Sequence, residues 1–157
     1  MHAAKDYIMP TIYQYLASDH HRCDDHFSTA EEMVVKGKWH AAKTGFAQFS
    51  AAMAHHFGME EQVLFPAFER VTGNVAGPTL MMRREHGQMR ELLDSLNNAI
   101  TAQDADEYTG LSETLLILMQ QHNLKEEQVL YPMSDQLLNR TVDELLEQMA
   151  TVPDHGG

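Results

Sequence analysis

A histidine followed four residues later by a glutamate occurs twice, in two segments that repeat each other at an offset of 66 residues. One copy runs from His56 to Pro66 (HFGMEEQVLFP) and the other from His122 to Pro132 (HNLKEEQVLYP). Because residues four apart on a helix lie on one face, each copy presents an imidazole and a carboxylate in the same direction. Iron, zinc and manganese accept both ligand types. The repeat therefore predicts two halves of a two-metal site.

The overall composition is that of an acidic globular protein of 157 residues with a formal net charge of −12. The length predicts a single domain over residues 1–157. The sequence has no basic stripe that would attract nucleic acid and no apolar run long enough to span a membrane. The single cysteine, Cys23, excludes an intrachain disulfide and a CxxC motif. We expect a cytoplasmic protein.

Helical periodicity dominates the chain and predicts four long helices joined by short loops. They cover approximately residues 11–36, 39–64, 78–102 and 107–131. Pro66 and Pro132 are expected to kink or end the second and fourth helices. Thr141–Glu144 resembles a capping box that starts a short helix over about 141–150, and a frayed tail is expected from Val152 onward. The predicted fold is all-α: an antiparallel up-down-up-down four-helix bundle with a short C-terminal extra helix.

Each long helix carries one histidine in the middle of its apolar stripe, and two of the helices add a glutamate one turn later. These six residues are His20, His56, Glu60, His86, His122 and Glu126. Burying an ionised carboxylate without a partner is costly, and two facing carboxylates would cost more. A pair of divalent cations reverses the sign of that cost. We therefore predict that Glu60 and Glu126 bridge two metal ions and that the four histidines are terminal ligands.

Simpler explanations exist for single residues of this pattern. A lone histidine on an apolar stripe is usually a hydrogen-bonded core residue, but four on successive helices favour a metal site over a metal-free helical interaction module. For Glu61 and Glu127 an exposed face is favoured, and a position behind the ligands is the alternative. His21 is expected to be solvated, whereas His26 and His55 remain open as additional site residues. The many methionines are expected to be core filler.

The order and spacing of these motifs resemble the hemerythrin-like, cation-binding HHE domain over about residues 11–135. The matching segments are Asp19-His20 with Asp24, His56-Phe57 with Glu60, Glu85-His86 with Arg90, and His122 with Glu126, the two HxxxE units each running into Leu-aromatic-Pro. The resemblance implies a four-helix bundle around a non-haem di-iron centre with two bridging carboxylates and an oxo or hydroxo bridge. Zinc or manganese would be substitutes for iron. The four histidines match the terminal ligands of the family, and the two glutamates match its bridges.

The sequence departs from the oxygen-carrying hemerythrins at two points. Those proteins have two histidines one turn apart on the third helix, whereas the positions one turn from His86 are Met82 and Arg90. They also place an aspartate five residues after the histidine of the fourth helix, where this chain has HxxxE. One iron is then short of a ligand or is completed by one of His26, Asp24, Glu85 or water. The departures argue against simple oxygen carriage and favour sensing or stress roles.

Two classes of function remain open at this stage. One is a binding protein whose di-iron centre binds or senses oxygen or nitric oxide. The other is a di-iron oxidoreductase that consumes peroxide or nitric oxide, or a protein that repairs iron centres; an open coordination position serves both classes, and no catalytic residue is identified. A ferritin-like oxidase is disfavoured because its Glu-x-x-His motif is absent. Since ligand histidines must be neutral, we expect metal loss below about pH 6.

Overall fold

Helices account for all regular structure in residues 9–153, the part of the chain that the computed structural model describes. The helices are α1 (Ile12–Val35), α2 (Trp39–Met59), α3 (Phe65–Thr72), α4 (Pro78–Thr101), α5 (Ala105–Lys125), α6 (Tyr131–Leu137) and α7 (Val142–Ala150). Two π-helical turns, π1 (Glu60–Leu64) and π2 (Glu126–Leu130), join α2 to α3 and α5 to α6. The all-α prediction is confirmed, while the up-down-up-down order stays a prediction. Within the described residues, no helix is long and apolar enough to cross a membrane.

Local capping explains where α1 begins but not where α7 begins. Thr11 accepts a hydrogen bond from the Gln14 backbone N–H, and the Gln14 side chain accepts one from the Thr11 N–H, both at 3.0 Å. This reciprocal pair satisfies two N–H groups that the first turn leaves free. The capping box predicted at Thr141 is wrong, because its hydroxyl donates to the Leu138 carbonyl at 3.2 Å instead.

The second and fourth predicted helices do not end at their prolines. They continue to Thr72 and Leu137 through the two π-helical turns, which lie immediately before Pro66 and Pro132. In each turn the residue preceding the proline donates its N–H to the carbonyl of the first glutamate, five residues back. Since proline has no N–H and its ring crowds the carbonyl four residues back, a wider turn keeps the chain helical. Such π-helical turns occur frequently at functional sites.

Two separate apolar clusters lie on either side of a layer that contains the histidines. Along α1, Leu16 belongs to one cluster and Cys23 to the other, with buried His20 between them. The Cys23 cluster is built around aromatic residues such as Phe49, and the Leu16 cluster includes Phe68 from α3. The apolar clusters therefore hold a polar layer in the middle of the bundle.

The C-terminal helix α7 covers one of the two repeats. It packs against π1 and α1, and the following Val152 is 7% exposed, so the predicted fraying at Val152 is wrong. A Cβ at Gly58 would lie 2.8 Å from Cγ1 of Val152, which explains why glycine suits this contact. The equivalent of Gly58 in the second repeat is Leu124, which is exposed. The rest of the predicted tail, residues 154–157, lies outside the described residues, as do residues 1–8.

Candidate metal centre

Four histidine side chains, one each from α1, α2, α4 and α5, meet in the polar layer, and all are buried. The ring centroids of His20 and His56 are 4.5 Å apart, and those of His86 and His122 are 5.0 Å apart. We call His20 with His56 the first half of the centre and His86 with His122 the second half. The structure thus brings together the four histidines that the sequence singled out.

Every one of these imidazoles has a carboxylate at its Nδ1 atom. The pairs are His20 with Glu127 at 2.6 Å, His56 with Asp19 at 2.8 Å, His86 with Glu61 at 2.7 Å and His122 with Glu85 at 2.8 Å. A carboxylate can only accept, so each Nδ1–H donates. In the neutral imidazole this leaves the lone pair on Nε2, directed into the polar layer. Metal-binding histidines are oriented by the same kind of outer carboxylate.

The two glutamates of the repeats, Glu60 and Glu126, are fully buried and each faces both halves of the centre. The distances from their carboxylate oxygens to histidine Nε2 atoms are 2.9 Å for Glu60 to His86, 3.6 Å for Glu60 to His56, 3.1 Å for Glu126 to His20 and 3.2 Å for Glu126 to His122. Different oxygens of one carboxylate contact the two halves. This arrangement suits a carboxylate that bridges two cations.

Comparison with known proteins identifies the family that carries this arrangement. A family model described as the hemerythrin HHE cation binding domain matches residues 11–134. The chain belongs to the hemerythrin family. The iron-sulfur cluster repair protein YtfE of Yersinia pseudotuberculosis serotype IB (strain PB1/+) is 33% identical over 90 residues, which cover 51% of this chain and 40% of that protein. The chain therefore matches less than half of this relative's length. No solved structure matches the chain significantly.

The donor atoms of this hemerythrin-family chain fit a metal of the first transition row. One donor atom from each of Glu60, His86, His122 and Glu126 lies within 4.8 Å of the others, and the same holds for His20, His56 and Glu126. Within the described part of the chain, His122 Nε2 and Glu126 Oε2 are buried and lie 3.2 Å apart in a geometry that makes no hydrogen bond. Buried polar atoms normally have partners. A cation bound by nitrogen and oxygen donors would satisfy both atoms.

When no metal is bound, protonated histidines balance the negative charge of the two buried glutamates. Burial lowers the pKa of His122, but the charges of Glu126 and Glu60 and its hydrogen bonds outweigh burial and raise this pKa to about 9. Burial likewise opposes the charged form of His56, yet the charge of Glu60 and the bond from Asp19 raise its pKa well above the usual value. The pKa of Glu60 is held well below its ordinary range, mainly by His56, despite its desolvation. A cation must therefore displace protons to bind.

Tyr131 is a residue of the centre that the sequence analysis missed. Its hydroxyl oxygen is 2.6 Å from Glu60 Oε2, 3.0 Å from Glu126 Oε1, 3.2 Å from His20 Nε2 and 3.3 Å from His56 Nε2. Burial and the two glutamates raise the pKa of this phenol well above its usual value. A signal was present in the repeat, because Tyr131 stands where the first copy has Phe65.

One expectation about neighbouring carboxylates is wrong, and one open candidate can be placed. Glu61 and Glu127 were expected on an exposed face, but their side chains are only 22% and 30% exposed and accept from His86 and His20. Both glutamates are turned away from solvent because α4 and α1 pass close enough for His86 and His20 to donate hydrogen bonds to them. Glu85, an open candidate for an additional ligand, accepts from His122 Nδ1 and from Lys125, so it lies behind the donor atoms.

The remaining candidates lie outside both groups of donor atoms. His26 is half-buried, and His21 is exposed as predicted. His55 is half-buried beside the layer. Cys23 is buried, and burial raises the pKa of its thiol to about 11, which disfavours the thiolate. Asp24 lines a surface cavity rather than the polar layer.

A surface cavity lies beside the first half of the centre. A cavity of about 340 Å³ has His20 in its wall, together with Asp24, Asn123 and Glu127. His20 Nδ1 bonds to Glu127 in this wall. The cavity therefore leads to the outer edge of the first half, along an acidic surface.

The second half is closed at the positions that correspond by the 66-residue offset. Phe57, the counterpart of Asn123, stacks on the His86 ring at a centroid distance of 4.2 Å. Arg90, the counterpart of Asp24, binds both oxygens of Glu61 at 2.7 and 2.8 Å and lies over the Phe57 ring. The two halves thus have equivalent histidines and carboxylates but differ in the residues that cover them.

Proposed function

We propose that this hemerythrin-family chain is a non-haem di-iron protein that binds or senses oxygen or nitric oxide. The metal ligands would be His20, His56, Glu60, His86, His122 and Glu126. The observation that carries the proposal is the pair of buried glutamates, each with its two oxygens facing different halves of a ring of four imidazoles. Without cations, the two carboxylates stay ionised in the core only if protons on the neighbouring histidines balance them, and burying such ion pairs costs several kcal/mol.

Two bound iron ions would supply an open coordination position and reversible electron transfer to a small ligand. The protein groups have separate tasks. Asp19, Glu61, Glu85 and Glu127 hold the four Nδ1 protons and so orient the imidazoles. Phe57 and Phe65 stack on His86 and exclude water from the second half. The cavity at His20 leaves the first half as the side from which a small ligand arrives.

A second candidate function is repair of iron–sulfur centres. It is favoured by the similarity to a protein named for that activity, although the matched 90 residues cover 40% of that relative. Repair would require iron that leaves the centre, and the acidic cavity lined by Asp24 and Glu127 offers a path for a cation. A di-iron oxidoreductase acting on peroxide or nitric oxide remains the alternative within the same ligand set.

Iron content decides whether the centre exists. The protein is loaded with Fe(II) without oxygen, and bound iron is measured for the wild type, His122→Ala and the matched control His21→Ala. We expect about two irons per chain in the wild type and control and a loss of at least one iron in His122→Ala. His122 is buried beside Glu126, whereas His21 is exposed. Equal iron content in the three proteins would overturn the proposal.

Whether the small molecule is bound reversibly or consumed distinguishes the candidate functions. The reduced, iron-loaded protein is exposed to oxygen, nitric oxide or peroxide while absorption and reactant concentration are followed. A stoichiometric spectral change that reverses when the gas is removed supports binding or sensing. Continued consumption identifies an oxidoreductase. Transfer of iron to a cluster protein that lacks its cluster identifies repair.

A further inference from the structure

One substitution breaks the two-fold repetition inside the centre. Phe65 and Tyr131 are related by the 66-residue offset, and their rings stack in the same way on His86 and His20 respectively. Both ring pairs have a centroid distance of 5.6 Å and an interplanar angle of 26°. The phenolic hydroxyl is therefore the chemical difference between two otherwise matched positions. It lies at the first half of the centre.

The hydroxyl oxygen has four polar atoms within hydrogen-bond distance, whereas a phenol has a single proton to donate. Two carboxylate oxygens lie at 2.6 and 3.0 Å, and two imidazole Nε2 atoms lie at 3.2 and 3.3 Å. The Nδ1 protons of His20 and His56 are held by Glu127 and Asp19, so in the neutral imidazoles both Nε2 atoms present lone pairs. One phenolic proton serves one of these acceptors well. Together with the hydroxyl oxygen, the two carboxylate oxygens and the two imidazole nitrogens form a cluster of five potential donor atoms, which favours a cation between them.

The distances also fit ligands of one metal ion. Neighbouring ligands at right angles on a metal with bonds of about 2.1 Å are separated by about 3 Å. All four distances from the Tyr131 oxygen fall near this value. If the ring at position 131 only filled space, phenylalanine would serve as well as it does at position 65. The hydroxyl group places an additional oxygen in the polar layer.

We propose that the phenolic oxygen of Tyr131 is itself a ligand of the metal at the His20–His56 half, so that the two metal positions are chemically inequivalent. This inference rests on the proposed function. On binding, the O–H bond breaks, the metal–oxygen bond forms and the proton leaves to solvent, with no change in oxidation state. The first half then has one more anionic oxygen donor than the second, which favours the ferric ion there. The cavity at His20 opens on the same half.

A phenolate bound to ferric iron absorbs visible light by charge transfer, and this band is the readout. The iron-loaded, oxidised wild type should show the band, and Tyr131→Phe should lose it while retaining bound iron. Tyr108→Phe is the matched control, because Tyr108 is also buried but belongs to the apolar cluster around Phe49. It should keep the band.

Resonance Raman spectroscopy of the wild type makes the test independent of any variant. Excitation in the band should enhance phenolate vibrations that shift when the protein contains ring-deuterated tyrosine. Bound iron with no such vibrations, or an unchanged band in Tyr131→Phe, would overturn the inference and leave the di-iron proposal intact. A protein that binds no iron under any loading condition would overturn both.

Discussion

The outer carboxylates offer a direct measure of how strongly the fold organises the centre, and Glu85→Gln is the sharpest test. Glu85 lies behind the donor atoms, 2.8 Å from His122 Nδ1, and its side chain is 14% exposed. The amide of glutamine is nearly the same size but is a weaker acceptor. The change therefore keeps the packing and removes the charge that orients the imidazole.

The expected effect is a 10- to 100-fold loss of metal affinity, the usual cost of losing such a partner. This corresponds to about 1.4–2.7 kcal/mol. A fall in the pKa of His122 would act in the opposite direction, because fewer protons would need to be displaced. That contribution is small, since the charges of Glu126 and Glu60 contribute more to the raised pKa than the bond from Glu85. The loss of orientation should therefore dominate.

Chelator competition with Fe(II), without oxygen, measures the affinity, and thermal unfolding provides a second reading. At free metal 1,000 times above the dissociation constant, binding stabilises the wild type by about 4.1 kcal/mol, which should fall to between about 2.7 and 1.4 kcal/mol in the variant. Glu91→Gln is the matched control, because Glu91 is an exposed residue of the same helix α4. If Glu85→Gln and Glu91→Gln bind metal equally well, the outer carboxylates do not organise the centre.

Two further predictions concern the metal-free protein. Because the pKa of His122 is raised from 6.5 to about 9, it should contribute about 3 kcal/mol of stability that is fully present below pH 6.5 and lost as the pH rises through 9. The pKa values of His56 and His86 are raised as well, so urea unfolding at pH 6 and pH 10 should show a loss that is about 3 kcal/mol larger in the wild type than in His122→Gln. Gly58→Ala should destabilise the protein by about 1–2 kcal/mol, because the new methyl group would overlap Val152, whereas Gly87→Ala, whose methyl group meets nothing within 4 Å, should stabilise it by about 0.5–1 kcal/mol. Urea unfolding checks this pair as well, and an equal effect of both alanines would contradict the packing argument.

The apolar stripes were enough to predict the helices. Apolar residues that recur about every 3.6 positions lie on one face only if the segment is helical, and that face can then pack against the core. The predicted first helix, about residues 11–36, agrees with α1 and its caps. Proline was a weaker guide. Its effect depends on whether the preceding turn can widen, and that turn widened at Pro66 and Pro132 without ending the helix. A capping-box pattern is also a weak signal, since the Thr141 side chain accepts no hydrogen bond from the first turn of α7 and its hydroxyl donates to the Leu138 carbonyl.

The residues of the buried polar layer could be predicted because their spacing is local, whereas their outer carboxylate partners could not. His56 and Glu60 are one turn apart in any helix. The pairing of Glu61 with His86 depends on how α4 packs against π1, which periodicity does not reveal. The same limit affects the pH expectation. The pKa of His122, raised to about 9 by Glu126 and Glu60, adds proton competition that the free imidazole value does not include. Metal loss below about pH 6 stays a prediction.

The 66-residue offset that relates the two HxxxE copies also relates His20 to His86 and Asp19 to Glu85, so the repetition extends from the motif to the outer carboxylates. A centre built from two equal halves would give both metal ions the same surroundings. The differences lie at covering positions, where Arg90 and Phe57 close one half and Asp24 and Asn123 line a cavity beside the other. They lie also inside the centre, where Tyr131 replaces Phe65. Because Glu60 and Glu126 each face both halves, their charge would act on two bound metal ions alike. Any difference in affinity, redox state or ligand access must therefore come from these unshared residues.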